Sequence, residues 1–317
     1  MVALARYREL IDNHIQQWIG RTPRTSLYSP MAYIMGLPAK RIRPAATLMS
    51  CELFGGSVSS ALDAALGLEL FHNFTLMHDD IMDEAPLRRG KSTVHMKWDV
   101  NAAILSGDAM LVKAYQLITS RPEIISTFNA HALMVCEGQQ SDMDFEQRTD
   151  VSLEEYEEMI RKKTAVLLSC AMRIGALIAG ASTSDQELIA GFGEELGMAF
   201  QLRDDLLDAF GDPGKTGKRL AGDLSSGKKT WLLIKALELE ERTGSARLIG
   251  QLQLPPEQRD VQLMLSLIGS LGARDAAEQE VLRHESAALA AIEAIDVSAD
   301  RKVPLLELAG VLMARDH

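Results

Sequence analysis

Apolar residues return at three- and four-residue spacing through most of this chain, and one-by-one alternation is scarce. Leu62-Ala65-Leu66-Glu69-Leu70 and Leu188-Ile189-Phe192-Leu196 show the pattern. A period near 3.6 residues gathers such positions on one helix face, whereas a half-buried strand needs a period of two. The chain is thereby confined to the all-α class. Helix starts are predicted at Ser152-Leu-Glu-Glu155 and Ser184-Asp-Gln-Glu187, both of capping-box form, and Pro255-Pro256 opens a further segment. Breaks fall near Gly55-Gly56, Arg121-Pro122, Phe145 to Val151, Ala181 to Asp185 and in the polar stretch Gly211 to Lys229. The expectation is a large bundle of roughly ten or more helices around a central cleft, with no sheet. Its 317 residues suffice for a large core, and no composition shift marks a boundary, so 1–317 reads as a single domain.

Charge narrows the function. There are 33 basic and 44 acidic residues, a net charge of -11, which argues against a nucleic-acid partner or an anionic membrane surface. Cys51, Cys136 and Cys170 lie too far apart for a disulfide framework or a metal motif, which favours a reducing, cytoplasmic location. The N-terminal stretch carries Arg6, Arg8, Glu9 and Asp12 where a signal peptide needs an unbroken apolar run. The most apolar segment, Leu167 to Ala181, spans 15 residues and contains Arg173. That falls short of the roughly 20 needed to cross a bilayer, so no transmembrane segment is expected.

One short pattern occurs twice: Asp79-Asp80-Ile81-Met82-Asp83 and Asp204-Asp205-Leu206-Leu207-Asp208. At about 100° per residue, positions i, i+1 and i+4 share one arc of a helix. Three like charges crowded there destabilise an isolated helix by some tenths of a kcal/mol per pair. A single copy would pass for a solvated acidic face; two copies in apolar helices demand another reading. If the helices face one another, six carboxylates line one cleft and require cations. An all-oxygen ligand set suits Mg²⁺, which commonly binds substrate phosphates as well. Fixed positive groups are at hand in Lys40-Arg41-Ile42-Arg43, Arg88-Arg89, Lys163, Lys218 and Lys228-Lys229. The loop Gly211 to Lys218 imitates a nucleotide-binding motif but fails as one. Five residues separate Gly211 from Gly217, Arg219 stands where Ser or Thr is needed, and no strand precedes it.

These residues resemble the trans-isoprenyl diphosphate synthases, or polyprenyl synthetases, over most of the chain. Phe71-His-Asn-Phe-Thr-Leu-Met-His-Asp-Asp-Ile-Met-Asp83 with Leu87-Arg-Arg-Gly90 is similar to that family's first aspartate-rich motif, and Phe200-Gln-Leu-Arg-Asp-Asp-Leu-Leu-Asp208 to its second. The resemblance implies a Mg²⁺-dependent prenyltransferase, with three ions per site, that condenses isopentenyl diphosphate with an allylic diphosphate. Asp79, Asp83 and Asp204 would bind the metal, supported by Asp80, Asp205 and Asp208. Arg88, Lys163, Lys218 and Lys228 would contact the allylic diphosphate; Lys40, Arg43, His72 and Arg89 would hold isopentenyl diphosphate. Thr164 and Gln201 would turn oxygens toward the allylic cation, and the released diphosphate would take the proton. A homodimer is implied too.

Two departures stand out: Pro38-Ala39 replaces a usual Gly-Gly, and Arg219-Leu-Ala-Gly-Asp223 replaces Asp-x-Gly-x-Asp. Phe71, Phe74 and Thr75 stand eight, five and four residues before Asp79, where product length would be set. One large ring with a small Thr resembles members that make farnesyl or geranylgeranyl diphosphate, the twenty-carbon product being favoured. The rival readings are a class I terpene cyclase, which generally has a different second metal motif, and a non-catalytic subunit of a heteromeric synthase.

Overall fold

The computed structural model describes residues 2–119, 121–211 and 221–314. Lys218, and the loop around it, lies outside them. The described residues are all-α apart from one antiparallel hairpin, β1 (Leu87–Arg88) against β2 (Lys91–Ser92). This corrects the expectation of no sheet: strands of two residues are too short to leave an alternating pattern. The connecting Arg89 and Gly90 both have positive φ, +54° and +71°, as a type I′ turn demands. The arginine accepts a left-handed conformation that costs about 1–2 kcal/mol. Two compact units are distinguished.

The first unit comprises Met1–Ala130, Cys170–Ala190 and Asp296–Leu308. It contains α1 (Val2–Arg21), α2 (Tyr28–Gly36), α3 (Ile42–Leu53), α4 (Val58–Met82), α5 (Val94–Lys97) and α6 (Val100–Ile118). Helix α4 buries Ala61, Ala65, Leu66, Leu68, Leu70 and Phe71, so apolar groups cover its whole circumference, as in a helix with neighbours on every side. Small residues bring those neighbours close. A Cβ on Gly67 would lie 2.7 Å from Ile118 Cγ1, and one on Gly107 2.3 Å from His78 Nε2. Helix α4 ends in a Schellman motif: Ala85 N–H donates to Asp80 O at 2.9 Å and Glu84 N–H to Ile81 O at 3.2 Å, with Glu84 at φ +50°. The first carboxylate cluster therefore occupies the final turn of α4.

The second unit comprises His131–Ser169, Gly191–Ile295 and Ala309–His317. Here α7 (Pro122–Glu146) contributes its C-terminal part, followed by α8 (Leu153–Ile160), a π-helical turn at Arg161–Ala165, the start of α9 (Val166–Ala179) and most of α10 (Thr183–Phe210). The expected capping box opens α8, with the Ser152 and Glu155 side chains exchanging hydrogen bonds with backbone. The cap of α10 sits two residues earlier than expected. Asp185 N–H donates to Ser182 Oγ at 3.1 Å, because Gly180 at φ +76° ends α9 and leaves Ser182 at the turn. Tyr156, Leu202, Trp231, Met264 and Val281 belong to this unit's core. Two glycines admit the π turn: a Cβ on Gly138 would lie 2.3 Å from Lys163 N, and one on Gly197 2.5 Å from Ala165 Cα.

Candidate active site

Within the first cluster the three carboxylates part company. Asp79 in the last turn of α4 and Asp83 at its C-cap keep solvent exposure, while Asp80 is 2% exposed. Arg88 on β1 donates from Nε to Asp80 Oδ1 at 2.8 Å and reaches Asp79 Oδ2 with Nη2 at 3.6 Å. Burial pushes the Asp80 carboxyl above its ordinary range, and Arg88 works against that. All three acids lie at the C-terminal, partially negative end of a helix, where the macrodipole adds to their mutual repulsion.

A cationic neighbourhood lies on the same unit. Arg43 Nη1 donates to His72 Nε2 at 3.2 Å, which leaves the imidazole proton on Nδ1. Burial first, then the charges of Arg43, Arg89, Arg88 and Arg41, hold His72 well below its usual range, so it is a neutral donor. Arg43 Nε is buried without a hydrogen-bond partner, an orphan that an anion would satisfy. Lys40 and Arg89 are exposed. Arg41, itself at φ +53°, is buried and fixes the preceding loop: it donates to Glu69 Oε1 (2.6 Å), Asp12 Oδ1 (3.1 Å) and the carbonyls of Met35 (2.6 Å) and Leu37 (3.3 Å). Further back along α4, Phe74 packs 4.8 Å from His78 and 5.7 Å from Phe71. Phe71 is buried and meets Phe128 edge-on at 5.1 Å. Thr75 Oγ1 is turned back onto His72 O at 2.8 Å.

The second cluster divides in the same way. Asp204 and Asp208 are partly exposed near the end of α10, whereas Asp205 is buried beneath three donors. Tyr156 Oη donates to Asp205 Oδ2 at 2.6 Å, Gln201 Nε2 to Oδ1 at 3.2 Å, and Trp231 N–H to Oδ2 at 3.4 Å. Burial nevertheless pushes Asp205 up to about 7. Asp208 Oδ2 accepts from Asp223 N–H at 3.1 Å, which ties the cluster to the chain beyond it. The π turn carries Lys163 and Thr164. Thr164 Oγ1 donates to Gln201 Oε1 at 3.3 Å, and Lys163 Nζ lies 2.5 Å from Asp142 Oδ2, with Lys228 Nζ 3.8 Å from the same oxygen.

Asp79 and Asp83 in the first unit, and Asp204 and Asp208 in the second, each present carboxylate oxygens and no nitrogen or sulfur ligand. That chemistry fits a hard divalent cation such as Mg²⁺. Arg41, counted from sequence among the positive groups for a phosphate, is instead buried and spent on Glu69 and Asp12. Reasoning from sequence missed Glu69, Asp142 and Tyr156. The charged Glu69 inside the apolar run Ala64 to Phe71 was a signal of a buried ion pair. Asp142, in a polar helix segment, carried no such mark.

Paired aspartate clusters at helix C-termini, each with its own set of basic groups, on an all-α scaffold define the class: a trans-prenyltransferase of the isoprenyl diphosphate synthase type. The polyprenyl synthetase family model matches residues 24–268, and the chain belongs to that family. It is similar to a short chain isoprenyl diphosphate synthase of Methanothermobacter thermautotrophicus, 35% identical over 100% of this chain and 99% of that one. A solved geranylgeranyl pyrophosphate synthase superposes with a TM-score of 0.93 at 42% identity, covering 98% of both chains. Another, from Corynebacterium glutamicum and complexed with isoprenyl diphosphate and magnesium, has a TM-score of 0.87 at 27% identity over 98% and 99%. Among the described residues no helix is long and apolar enough to cross a membrane.

Proposed function

We propose that this enzyme condenses isopentenyl diphosphate with dimethylallyl, geranyl or farnesyl diphosphate and releases geranylgeranyl diphosphate as its main product. The observation that carries the reading is the matched exposure of the two clusters: the outer aspartates reach solvent, while the middle aspartate is buried and held by protein donors. Asp79 and Asp83, and Asp204 with support from Asp208, are the Mg²⁺ ligands, three ions per site. When bound, the metal neutralises charge that develops on the departing diphosphate. Arg88, Lys163, Lys218 and Lys228 grip that diphosphate. Lys40, Arg43, Arg89 and the Nδ1–H of neutral His72 hold isopentenyl diphosphate. Thr164 and Gln201 offer oxygen dipoles to the allylic cation, a preorganised stabilisation that costs no reorganisation during reaction. Asp80 and Asp205 support the ligands from the protein side.

We read residues 1–317 as one isoprenyl diphosphate synthase domain, because the family match runs through segments of both units. We place the enzyme in the cytoplasm, in keeping with three free thiols. A homodimer is supported by exposed apolar side chains on α6, Ile104, Leu105 and Val112. Purified protein incubated with Mg²⁺, isopentenyl diphosphate and, separately, five-, ten- and fifteen-carbon allylic primers tests the reading. Elongated prenyl diphosphates ending at twenty carbons are expected. Cyclic hydrocarbons would establish a cyclase instead, and no turnover a non-catalytic subunit.

A further inference from the structure

Tyr156 belongs to none of the aspartate or basic motifs, yet its hydroxyl makes a 2.6 Å hydrogen bond inside the second cluster. The partner is Asp205, whose second carboxylate oxygen is engaged as well. Oδ2 already receives the Tyr156 hydroxyl and, more distantly, Trp231 N–H. Oδ1 is left to accept from Gln201 Nε2 at 3.2 Å. An amide bound through its nitrogen at one end must present its carbonyl oxygen at the other, because a flipped amide would set oxygen against carboxylate oxygen. Gln201 Oε1 accordingly meets the Thr164 hydroxyl at 3.3 Å. A continuous relay thus runs Tyr156, Asp205, Gln201, Thr164, from α8 through α10 to the π turn that also carries Lys163. A second strut braces it: Trp231 Nε1 donates to Glu157, the neighbour of Tyr156, at 3.0 Å.

We propose that Tyr156 is a positioning residue for prenyl transfer, acting through Asp205 to hold the Gln201 amide with its oxygen turned to Thr164 and the allylic cation. The proposal rests on the reading of Gln201 and Thr164 as the groups that face that cation. Without the hydroxyl, Asp205 can rotate and Gln201 loses its fixed partner, so the two oxygens lose their aim. An orientation error in dipoles that act on a developing charge reduces turnover while ground-state grip on the diphosphates, supplied by other residues, is kept. Asp205 is by this account an anchor and not a metal ligand.

Steady-state kinetics of Tyr156→Phe, Gln201→Leu and the double variant test it. Tyr156→Phe should lower kcat roughly 10- to 100-fold with KM for both diphosphates within about twofold. In the Gln201→Leu background the same change should have little further effect, since the residue through which it acts is gone. A normal kcat for Tyr156→Phe, or equal losses in both backgrounds, overturns the proposal. A normal kcat for Gln201→Leu overturns the reading beneath it instead. Asp205→Asn, of nearly equal volume, serves if the phenylalanine variant does not fold. It should reduce kcat with the Mg²⁺ concentration at half-maximal rate unchanged; a raised Mg²⁺ requirement would make Asp205 a ligand and end the argument.

Discussion

Arg88 is bound to the buried Asp80, at 2.8 Å, and not to the exposed Asp83 that completes the same motif. The three aspartates of one cluster therefore differ in what they do. Asp80→Ala removes the acceptor of a mostly buried guanidinium and should cost about 2–3 kcal/mol, less than a fully buried pair because Arg88 keeps some solvent. Asp83→Ala should alter stability by no more than about 0.5 kcal/mol while turnover collapses. Urea midpoints measured beside rates would separate the two, and equal destabilisation by both variants would contradict this division.

Asp204→Ala applies the same logic to the second unit. Asp204 is partly exposed, whereas its neighbour Asp205 is held by three donors. Turnover should fall by about two orders of magnitude or more with the melting transition nearly unchanged. A near-normal rate would mean that the second cluster is structural.

The π turn depends on two missing side chains. Gly138→Ala and Gly197→Ala would drive a Cβ to 2.3 Å from Lys163 N and 2.5 Å from Ala165 Cα, both backbone atoms that cannot step aside cheaply. Each should destabilise by about 2–3 kcal/mol and displace Lys163 and Thr164. Gly191→Ala, also in α10 but with open space at its Cβ, should be neutral or stabilising by up to about 1 kcal/mol. Thermal unfolding of the three proteins checks the order, and a harmless Gly138→Ala would show that the turn can relax.

Glu240 makes acid stability predictable. Burial opposes its charge, but N–H donors from Leu248 (2.7 Å) and Ile249 (3.0 Å) prevail and hold the carboxyl below its ordinary range. A group depressed in the folded state stabilises above its unfolded pKa, about 4.3, and that contribution disappears as pH falls through the folded value. Melting temperatures of the native protein and Glu240→Gln should differ at neutral pH and draw together as the pH falls from about 4.3 through the lower folded value. A gap that persists in acid would assign the effect to shape instead of charge.

Composition and motif together disclosed the helical class, the family and both clusters. They could not disclose the split within each cluster. On a helical wheel the first and third aspartates stand about 40° apart and the middle one at the edge of the arc, so which edge meets the core depends on tertiary packing. Arg41 and Glu69 lie 28 residues apart and pair only once α3 and α4 are side by side. The π turn over Arg-Lys-Lys-Thr-Ala has no sequence signature, since it is the glycines of two other helices that allow it. The cap of α10 slipped by two because Ser182 and Ser184 are equal candidates until Gly180 is seen to take the left-handed conformation.

Product length is the property most open to a single substitution. Phe74 stands five residues before Asp79 and is partly exposed, its ring supported by His78 at 4.8 Å. Three residues further from the cluster, about 4.5 Å along the helix, Phe71 is buried and backed edge-on by Phe128, which in turn meets Tyr115 at 5.1 Å. If Phe74 is the floor against which the growing chain stops, Phe74→Ala should lengthen the product. The lengthening should be short and should not open-endedly continue, because the Phe71–Phe128 pair forms the next barrier and is locked by burial. Thr75, its hydroxyl turned back to His72 O, leaves room at the neighbouring position and should matter only when enlarged. Chromatography of dephosphorylated products from Phe74→Ala and Phe71→Ala/Phe74→Ala reads the outcome: one added isoprene unit in the first, more in the second. Unchanged chain length in both would remove α4 as the determinant.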